Sequence, residues 1–485
     1  MPQVYTESAT PPVVHVSRTM PVTELYRPPA PTPQSPLRSL VRVIRQGDGD
    51  LLSLVPAEAY REPLTWLGYS RRSILLINDS ELCRSVLADR DEIFPKNDLM
   101  VGALEGLVGD SLFVSSGATW RRQRRMIDPA FSQLRIDTAF RSMVSAVDDY
   151  TQLLDGHAAS ATASATTSAT AFSLDMAMSH LTADIICRAI FSQTLSTSVA
   201  RDVFDDFLLF ERSVASVNLR QLIFGKPWAA VQQPEPVVNA CARIRHHIGT
   251  LLDPRLADGA PAMNDIVDAV IAARDAETGE AFTREELIDQ IGVFFLAGHE
   301  TTASVLTWVF FVLSQQPSIA DRIADDVNAV TDGGAVELEH IRQLPYVRNV
   351  FREVLRLYPP ITFIPRVALK ATTIGDRKVK RGAMIMISPW TAHRNALLWE
   401  NADRFNPDRF DTQCPRNGDS GAHMSFGIGP RVCVGASFAT TEAVLIIARL
   451  AQRYRFHTSN SDAVRPVARL TTRPATEISV TVERR

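Results

Sequence analysis

The chain has 485 residues, of which 45% are hydrophobic and 22% are charged, a composition typical of a soluble globular protein with a sizeable core. Its net charge of −3 gives no electrostatic reason to expect nucleic acid or an anionic membrane as a partner. The five cysteines form no CxxC pair, which argues against a disulfide framework or a zinc cluster and fits a reducing cytosol.

The N-terminal segment, residues 1–40, is rich in proline and shows neither a signal peptide nor a membrane anchor. We predict an extended, partly disordered lead-in there, because proline prevents a long helix. Residues 41–485 carry helical patterns throughout without a clear linker, and strand-like stretches such as 73–78 and 383–388 are short. The sequence therefore predicts one domain that is mainly α-helical with small β-sheet regions, located in the cytoplasm and soluble.

Two features stand out in the first two-thirds of the chain. Residues 157–171 are low in complexity and lack large apolar side chains, so we predict a mobile surface loop between helices. A long helix is predicted to begin at Thr283, where Glu286 completes a capping box, and to stop at Pro317. With roughly 34 residues at ~1.5 Å each, this helix would span about 50 Å and cross the whole domain.

The centre of this helix is unusual because polar residues interrupt the apolar run 291–313. The run is long enough to suggest a membrane span, but His299 and Glu300 near its midpoint would each cost on the order of a few kcal/mol in lipid. A helix in the core of a soluble protein is therefore the better interpretation. A second helix is predicted over 346–358, and irregular coil is predicted from Asn395 up to about Ser425.

The loop "FGIGPRVCVG", residues 426–435, has three glycines and places Cys433 where a further helix begins. Amide groups at that helix end would favour the thiolate of Cys433 over the thiol. A phosphate-binding loop fits poorly, since no Lys-Ser/Thr pair follows. A buried structural cysteine and a metal-bound thiolate both remain open from these residues alone.

The whole pattern F-x-x-G-x-x-x-C-x-G resembles the haem-binding signature of the cytochrome P-450 family, with matches at Phe426, Gly429, Cys433 and Gly435. The resemblance implies a haem b (iron protoporphyrin IX) between the long distal helix and the cysteine loop. Cys433 would be its axial thiolate ligand and Phe426 would shield the sulfur.

Other motifs of the same family occur in the expected order. Glu353 and Arg356, in "REVLR", resemble its E-x-x-R helix, and Arg409 in "FNPDRF" would complete a structural triad that locks the coil before the cysteine loop. His393, in "TAHRN", is interpreted as structural rather than as a second haem ligand.

The resemblance also implies cationic and N–H donors that bind the propionate groups of the haem. "WRRQRR" resembles the W-x-x-x-R helix of the family, in which Trp120 and Arg124 would meet a propionate. Arg431 and Arg366 match other positions that contact propionates.

"AGHETT", residues 297–302, resembles the motif at the centre of the distal helix. The resemblance implies that dioxygen lies against the small residues Ala297 and Gly298. Thr301 would donate to the carbonyl four residues earlier and loosen the helix. Glu300 and Thr301 would then deliver protons during dioxygen activation.

The resemblance implies a monooxygenase that uses O₂ and two electrons to hydroxylate or epoxidise a hydrophobic, lipid- or terpenoid-like molecule. Two alternatives stay open, a peroxide-using or isomerising enzyme on the same fold and a non-catalytic haem carrier or sensor. The short stretch after Cys433 leads us to expect no fused reductase. NAD(P)H would then act only through a separate ferredoxin and ferredoxin reductase, or a flavodoxin-type donor.

The electron donor would dock on a basic face formed by Arg121, Arg122 and Arg125. The variable segments that face substrate in the family are mostly apolar here, which predicts a hydrophobic pocket lined by Phe294, Leu104 and Phe363. Neither nucleic acid nor a transmembrane anchor is expected.

Overall fold

A computed structural model describes residues 25–35, 38, 41, 50–67, 73–88, 93–162, 171–214, 233–411 and 422–485. The α-helices of these residues are, in chain order, α1 Ser80–Leu87, α2 Asp98–Val108, α3 Gly117–Ile127, α4 Gln133–Thr162, α5 Leu174–Phe191, α6 Ser198–Val214, α7 Glu235–Leu256, α8 Ile266–Ala272, α9 Arg284–Gln315, α10 Pro317–Thr331, α11 Leu338–Arg342, α12 Pro345–Leu357, α13 Pro389–Ala392 and α14 Ala436–Arg453. The prediction of a mainly helical protein is confirmed.

The β-structure of the described residues is small and divided among four sheets. Its strands are β1 Leu64–Leu67, β2 Ile74–Ile77, β3 Phe172–Ser173, β4 Ile364–Val367, β5 Thr372–Ile374, β6 Arg377–Val379, β7 Met384–Ile387, β8 Tyr454–Thr458, β9 Pro466–Ala468, β10 Thr472–Pro474 and β11 Ser479–Arg484. The largest sheet has the order β1-β2-β7-β4, in which β2 and β7 are parallel and the other pairs antiparallel. The strands predicted over 73–78 and 383–388 are therefore neighbours in one sheet.

Helix α9 forms the centre of the fold. It begins at the predicted capping box, in which Thr283 Oγ1 accepts from the Glu286 amide and the Glu286 carboxylate accepts from the Thr283 amide. By length and composition α9 is apolar enough to cross a membrane, but 83% of its most apolar window is buried inside the protein, as in a core helix. The helix packs most extensively against α5, and it also contacts α12 and α14.

The packing of α9 decides where the chemistry lies. Helix α12 carries Glu353 and Arg356, helix α14 follows the cysteine loop, and the two helices also contact each other. The core joins these three helices in one continuous hydrophobic cluster. The indole of Trp308, on α9, stacks on Tyr358 with ring centroids 4.0 Å apart. Its N–H donates to the Thr472 carbonyl oxygen, so Trp308 connects α9 with the segment that follows α12 and with the start of β10.

The prediction of a loop over 157–171 is wrong at its start. Helix α4 continues through "HAASAT" to Thr162, because alanine has the highest helix propensity and a helix end needs no large apolar residues. Residues 163–170 lie outside the described residues.

Part of the proline-rich lead-in lies against the body of the protein. Residues 25–35 are extended, and their carbonyl oxygens accept hydrogen bonds from the Phe405 amide at Tyr26 and from the Tyr358 hydroxyl at Pro29. These contacts fix the segment across α12 and the coil that follows α13. Residues 1–24 lie outside the described part of the chain.

Candidate active site

The loop before α14 is shaped by two glycines in the left-handed region. Gly427 and Gly429 have φ angles of 75° and 77°, which residues with a side chain rarely adopt. A Cβ at Gly429 would lie 3.0 Å from the Leu87 carbonyl oxygen, so this glycine also allows the loop to lie close to the end of α1. The Cys433 amide donates to the Phe426 carbonyl oxygen at 2.9 Å and closes the loop.

Cys433 differs from the other cysteines that the structure describes, because its side chain is exposed while the other three are buried. Protein atoms nevertheless surround the sulfur, and burial raises the pKa of the thiol, against the opposing effects of the Gly435 amide and the positive charge of Arg124. The Gly435 amide therefore acts in the predicted direction, toward the thiolate, while desolvation acts against it. A bound metal cation is what deprotonates such a thiol.

A group of N–H donors surrounds this loop. Arg124, on α3, donates to the Val432 carbonyl oxygen at 2.6 Å. The Arg431 guanidinium carbon lies 4.3 Å from the centroid of the Trp120 ring, and the same guanidinium donates to the Ser115 carbonyl oxygen. The structure thus brings together three of the four residues predicted for the propionates.

Arg366, the fourth residue of that prediction, comes from a different element. It lies on β4, where its side chain is buried and donates to the Pro365 carbonyl oxygen at 3.0 Å. The donor set as a whole fits a haem, a planar group that carries carboxylates. The exposed thiol at the glycine-rich loop can bind its iron, and the indole N–H and guanidinium groups around the loop can bind its carboxylates. Gly435 lies beside the sulfur, since a Cβ there would be 4.0 Å from Cys433 Sγ, an ordinary van der Waals contact.

The predicted triad is assembled around Glu353. Arg356 donates to both carboxylate oxygens of Glu353 at 2.8 Å, and Arg409 donates to one of them at 3.0 Å. All three side chains are buried. Burial raises the pKa of Glu353, but the charges of Arg356 and Arg409 outweigh it and hold this pKa below its ordinary value.

The triad fixes the coil that leads to the cysteine loop. Arg356 donates to the carbonyl oxygens of three residues of this coil, His393, Ala402 and Arg404. His393 is buried with both ring nitrogens engaged, one with the Arg356 carbonyl oxygen and one with the Met424 amide. Its pKa is held well below the ordinary value, mainly by burial, so the ring is neutral and serves as a structural bridge.

On the distal helix, Thr301 Oγ1 donates to the Ala297 carbonyl oxygen at 2.6 Å, the contact expected from the sequence. Gly298 has a different environment from the one predicted. A Cβ on Gly298 would lie 2.5 Å from the Ile186 side chain, so the missing side chain allows α5 and α9 to approach each other. Sequence reasoning missed this packing role because Ile186 is remote in sequence.

Glu300 is buried in a network that the sequence did not reveal. Arg473 forms an ion pair with both carboxylate oxygens of Glu300, and Thr471 Oγ1 donates to one of them at 2.5 Å. Arg473 also pairs with Asp175 at 2.6 Å. Burial raises the pKa of the Glu300 carboxyl, the charge of Arg473 opposes this, and the charge of Glu211 adds to it.

A second buried acid lies next to the distal motif. Glu442, on α14, is fully buried beside Thr302, and burial raises the pKa of its carboxyl well above the ordinary value. Neither of its carboxyl oxygens has a hydrogen-bond partner among the described residues, so an uncharged carboxyl lies between α14 and α9. Nothing in the local sequence distinguishes Glu442 from a surface residue, apart from the apolar residues that follow it.

The three residues predicted to face substrate are all buried in the main hydrophobic cluster. Leu104 lies on α2, Phe363 precedes β4, and Phe294 lies on α9 with its ring edge-on to Phe131 at 5.1 Å. The structure places Leu104 and Phe294 on different helices that pack together, α2 and α9.

The predicted basic docking face is weaker than the sequence suggests. Arg122 donates to the Glu286 carboxylate at 2.5 Å, and Arg125 lies 2.9 Å from the Asp275 carboxylate. Arg121 remains exposed on the same helix. Two of the three guanidinium groups are thus already neutralised within the chain by residues about 150 positions away.

Comparisons with known proteins agree with this geometry. A family model described as Cytochrome P-450 matches residues 28–482. Cyclooctatin synthase of Streptomyces melanosporofaciens is 29% identical over 84% of this chain and 84% of its own length. Cyclooctat-9-en-7-ol 5-monooxygenase of the same organism is 30% identical over 87% of this chain and 85% of its own length. The crystal structure of the cytochrome P-450DA heme domain has the same fold, with a TM-score of 0.77 over 95% of this chain and 98% of that chain at 21% identity.

Proposed function

The chain belongs to the cytochrome P-450 family, whose members are haem-containing oxidoreductases that use O₂, and on this basis we propose that it is a monooxygenase for a terpenoid-like hydrophobic substrate. The observation that carries the proposal is the exposed Cys433 in a loop that accepts a hydrogen bond from Arg124 and whose Arg431 donates to the Ser115 carbonyl oxygen. A haem carrier needs the thiol but has no use for the acid and alcohol at the centre of α9.

Haem bound through the Cys433 sulfur supplies the iron at which dioxygen is activated. Trp120, Arg124, Arg431 and Arg366 would hold its propionates, and the Phe426 ring beside the sulfur would exclude water. The buried triad keeps the preceding coil in place, so the loop is preorganised before the cofactor enters.

Proton delivery is assigned to Glu300 and Thr301. The Thr301 hydroxyl donates its hydrogen to the Ala297 carbonyl oxygen. Its own oxygen can still accept a hydrogen bond from a neighbouring group that carries a proton. Glu300 would pass that proton after exchanging one of its donors, Thr471 or Arg473. Its raised pKa suits this role, because an acid that takes up and releases protons near neutral pH works best when its pKa is not far below the working pH.

The substrate assignment rests on two supports. Leu104, Phe294 and Phe363 are apolar, which favours a hydrocarbon skeleton over an ionised fatty acid. One of the two relatives is named as a monooxygenase of cyclooctat-9-en-7-ol, a cyclic alkenol. For electrons we propose a separate ferredoxin with its NAD(P)H-dependent reductase, or a flavodoxin, acting on a soluble cytoplasmic enzyme.

The test uses the haem-loaded protein, NADPH, a ferredoxin and its reductase, and cyclooctat-9-en-7-ol as the probe under ¹⁸O₂. The proposal predicts a product that gains one ¹⁸O atom, with no product from the Cys433→Ser variant. Product formed only when hydrogen peroxide replaces NADPH and O₂ would indicate the peroxide-using alternative. Lauric acid serves as the contrasting probe, and preference for it over the cyclic alkenol would overturn the substrate assignment.

A further inference from the structure

A buried histidine and glutamate join two helices beside the distal motif. His299, on α9, is fully buried, and its Nε2 lies 3.1 Å from Glu211 Oε1 on α6. The Glu211 side chain is 10% exposed, so its carboxylate lies between the buried ring and the solvent. Phe204, Phe207 and Phe295 surround the imidazole with ring centroids at 5.0 to 6.0 Å. The pair therefore lies in largely apolar surroundings, with Glu211 as its more exposed member.

The short distance between His299 Nε2 and Glu211 Oε1 requires one proton on this pair of groups. His299 Nδ1 lies 2.8 Å from the Phe295 carbonyl oxygen, which can only accept, so Nδ1 carries a hydrogen. In a neutral ring Nε2 would then be an acceptor that faces the Glu211 oxygen. Two acceptors at 3.1 Å repel each other, so one proton resides either on Nε2 or on the carboxyl.

This shared proton is close to Glu300. One ligand atom from each of Glu211, His299 and Glu300 lies within 4.8 Å of the other two. Among the residues that the structure describes, the other charged groups beside this cluster are Arg473, on β10, and Asp175, on α5. Both oxygens of Glu300 are engaged by Arg473, so Arg473 blocks that side of the carboxylate and leaves the His299–Glu211 side as the nearest proton store.

We propose that the His299–Glu211 pair resupplies Glu300 with protons during turnover. One proton passes from the pair to the Glu300 carboxylate, and one proton from solvent replaces it at Glu211, so the pair ends in its starting state. His299 and Glu211 are positioning residues in this scheme because they act through Glu300. The inference rests on the proposed function, since only a dioxygen-activating enzyme needs the supply.

The first test measures stability and does not depend on activity. Burial lowers the pKa of His299, but the charge and hydrogen bond of Glu211 outweigh this and raise it above the ordinary value. Stability from the charged pair should be fully present below the unfolded pKa of about 6.5 and lost as pH rises through the higher folded pKa. We expect the Tm difference between the wild-type holoenzyme and Glu211→Gln to be largest in acid and to shrink above that range.

The matched control for this experiment is Thr182→Val. Thr182 Oγ1 donates to the His299 backbone carbonyl at 3.1 Å, so its loss disturbs the same contact between α5 and α9 without removing a titratable group. Its Tm offset should not depend on pH. If the Tm difference between Glu211→Gln and the wild type is also independent of pH, His299 and Glu211 do not share a proton. Glu211→Asp, which keeps a carboxyl group, should restore part of the pH dependence.

The second test measures coupling, as product formed per NADPH consumed, with cyclooctat-9-en-7-ol as the probe. Glu211→Gln should lower coupling by roughly tenfold in favour of peroxide, and the wild-type decline in coupling with rising pH should disappear. Coupling equal to that of Thr182→Val would overturn the relay, even if the stability test succeeds. A wild-type enzyme that forms no oxygenated product would contradict the proposed function itself, which separates the two failures.

Discussion

Glu353 and Glu300 are the same residue type, both buried and both paired with arginine, yet their pKa values move in opposite directions. Two guanidinium groups and the Asn406 amide act on Glu353, which keeps it charged. Glu300 has one arginine, and the charge of Glu211 works against it. Glu353 thus belongs to a charge network that maintains structure, whereas Glu300 belongs to one that can exchange protons.

The two networks also differ in what surrounds them. Around Glu353, the remaining N–H groups of the arginines donate to backbone carbonyl oxygens of the coil. The outer partners of this network are therefore backbone groups, which do not titrate. Around Glu300, the partners are side chains from β10, α5 and α6, several of which titrate. A network closed by the backbone holds a loop, whereas a network of titratable side chains can move a proton between its members.

The largest effect is expected when the structural network is broken. Arg356→Ala would leave the Glu353 charge buried with one partner fewer, which should cost about 3–5 kcal/mol in the free energy of unfolding and abolish haem incorporation. Denaturant unfolding and haem content per chain measure this. Asp253→Asn, which breaks the exposed ion pair with Arg284, is the control and should leave both quantities unchanged. Normal haem loading of Arg356→Ala would show that the triad does not hold the coil.

Thr301→Ala should have the next largest effect, and on coupling rather than on folding. The variant keeps the helix but loses the hydroxyl beside the Ala297 carbonyl, so roughly tenfold more of the electrons should appear as peroxide. Haem content and substrate-induced spectral shifts should match the wild type. Peroxide formation and product yield per NADPH measure the change. Wild-type coupling in this variant would remove Thr301 from proton delivery.

Arg473→Leu tests whether Glu300 titrates, through the pH dependence of the stability of the variant. Without Arg473, the Glu300 and Asp175 carboxylates would lose their shared cation, and the pKa of Glu300 would rise further above its ordinary value. Because a raised carboxyl pKa favours the protonated native state, the stability lost by this variant should be smaller at pH 5 than at pH 8. Tm measured at the two pH values tests this, and an equal loss at both would mean that Glu300 does not titrate there.

The smallest effect is expected at the docking face. Arg122 and Arg125 are engaged by acids of the same chain, whereas Arg121 is an exposed member of the predicted patch. Arg121→Gln should reduce kcat/KM for a ferredoxin about twofold at low ionic strength and have no effect at high salt. A larger loss at high salt would assign Arg121 to folding instead of docking.

The sequence predicted the parts of the molecule that depend on neighbours in the chain. The capping box at Thr283, the Glu353–Arg356 pair and the Thr301 hydrogen bond each join residues three or four positions apart, a spacing that a helix brings together. The glycine loop around Cys433 was likewise readable, because its backbone conformation requires particular residues.

The rest could not be predicted because its partners are far apart in sequence. Arg473 lies 173 positions from Glu300, and no local pattern in "LTTRP" marks it as a partner of the distal helix. Glu211 looks like an ordinary acid in an amphipathic helix until α6 is placed on α9. The same limitation applies to Gly298, since only the position of Ile186 shows which neighbour a side chain there would meet.

The central claim is that Cys433 binds haem as a thiolate, and the reduced-plus-CO difference spectrum tests it most directly. The haem-loaded wild type should show the strongly red-shifted Soret band of thiolate ligation, and Cys433→Ser should lose it. Cys187→Ser, which replaces a buried cysteine of α5, is the matched control and should keep the band. A globin-like band in the wild type, or an unchanged band in Cys433→Ser, would contradict the assignment of Cys433 as the ligand.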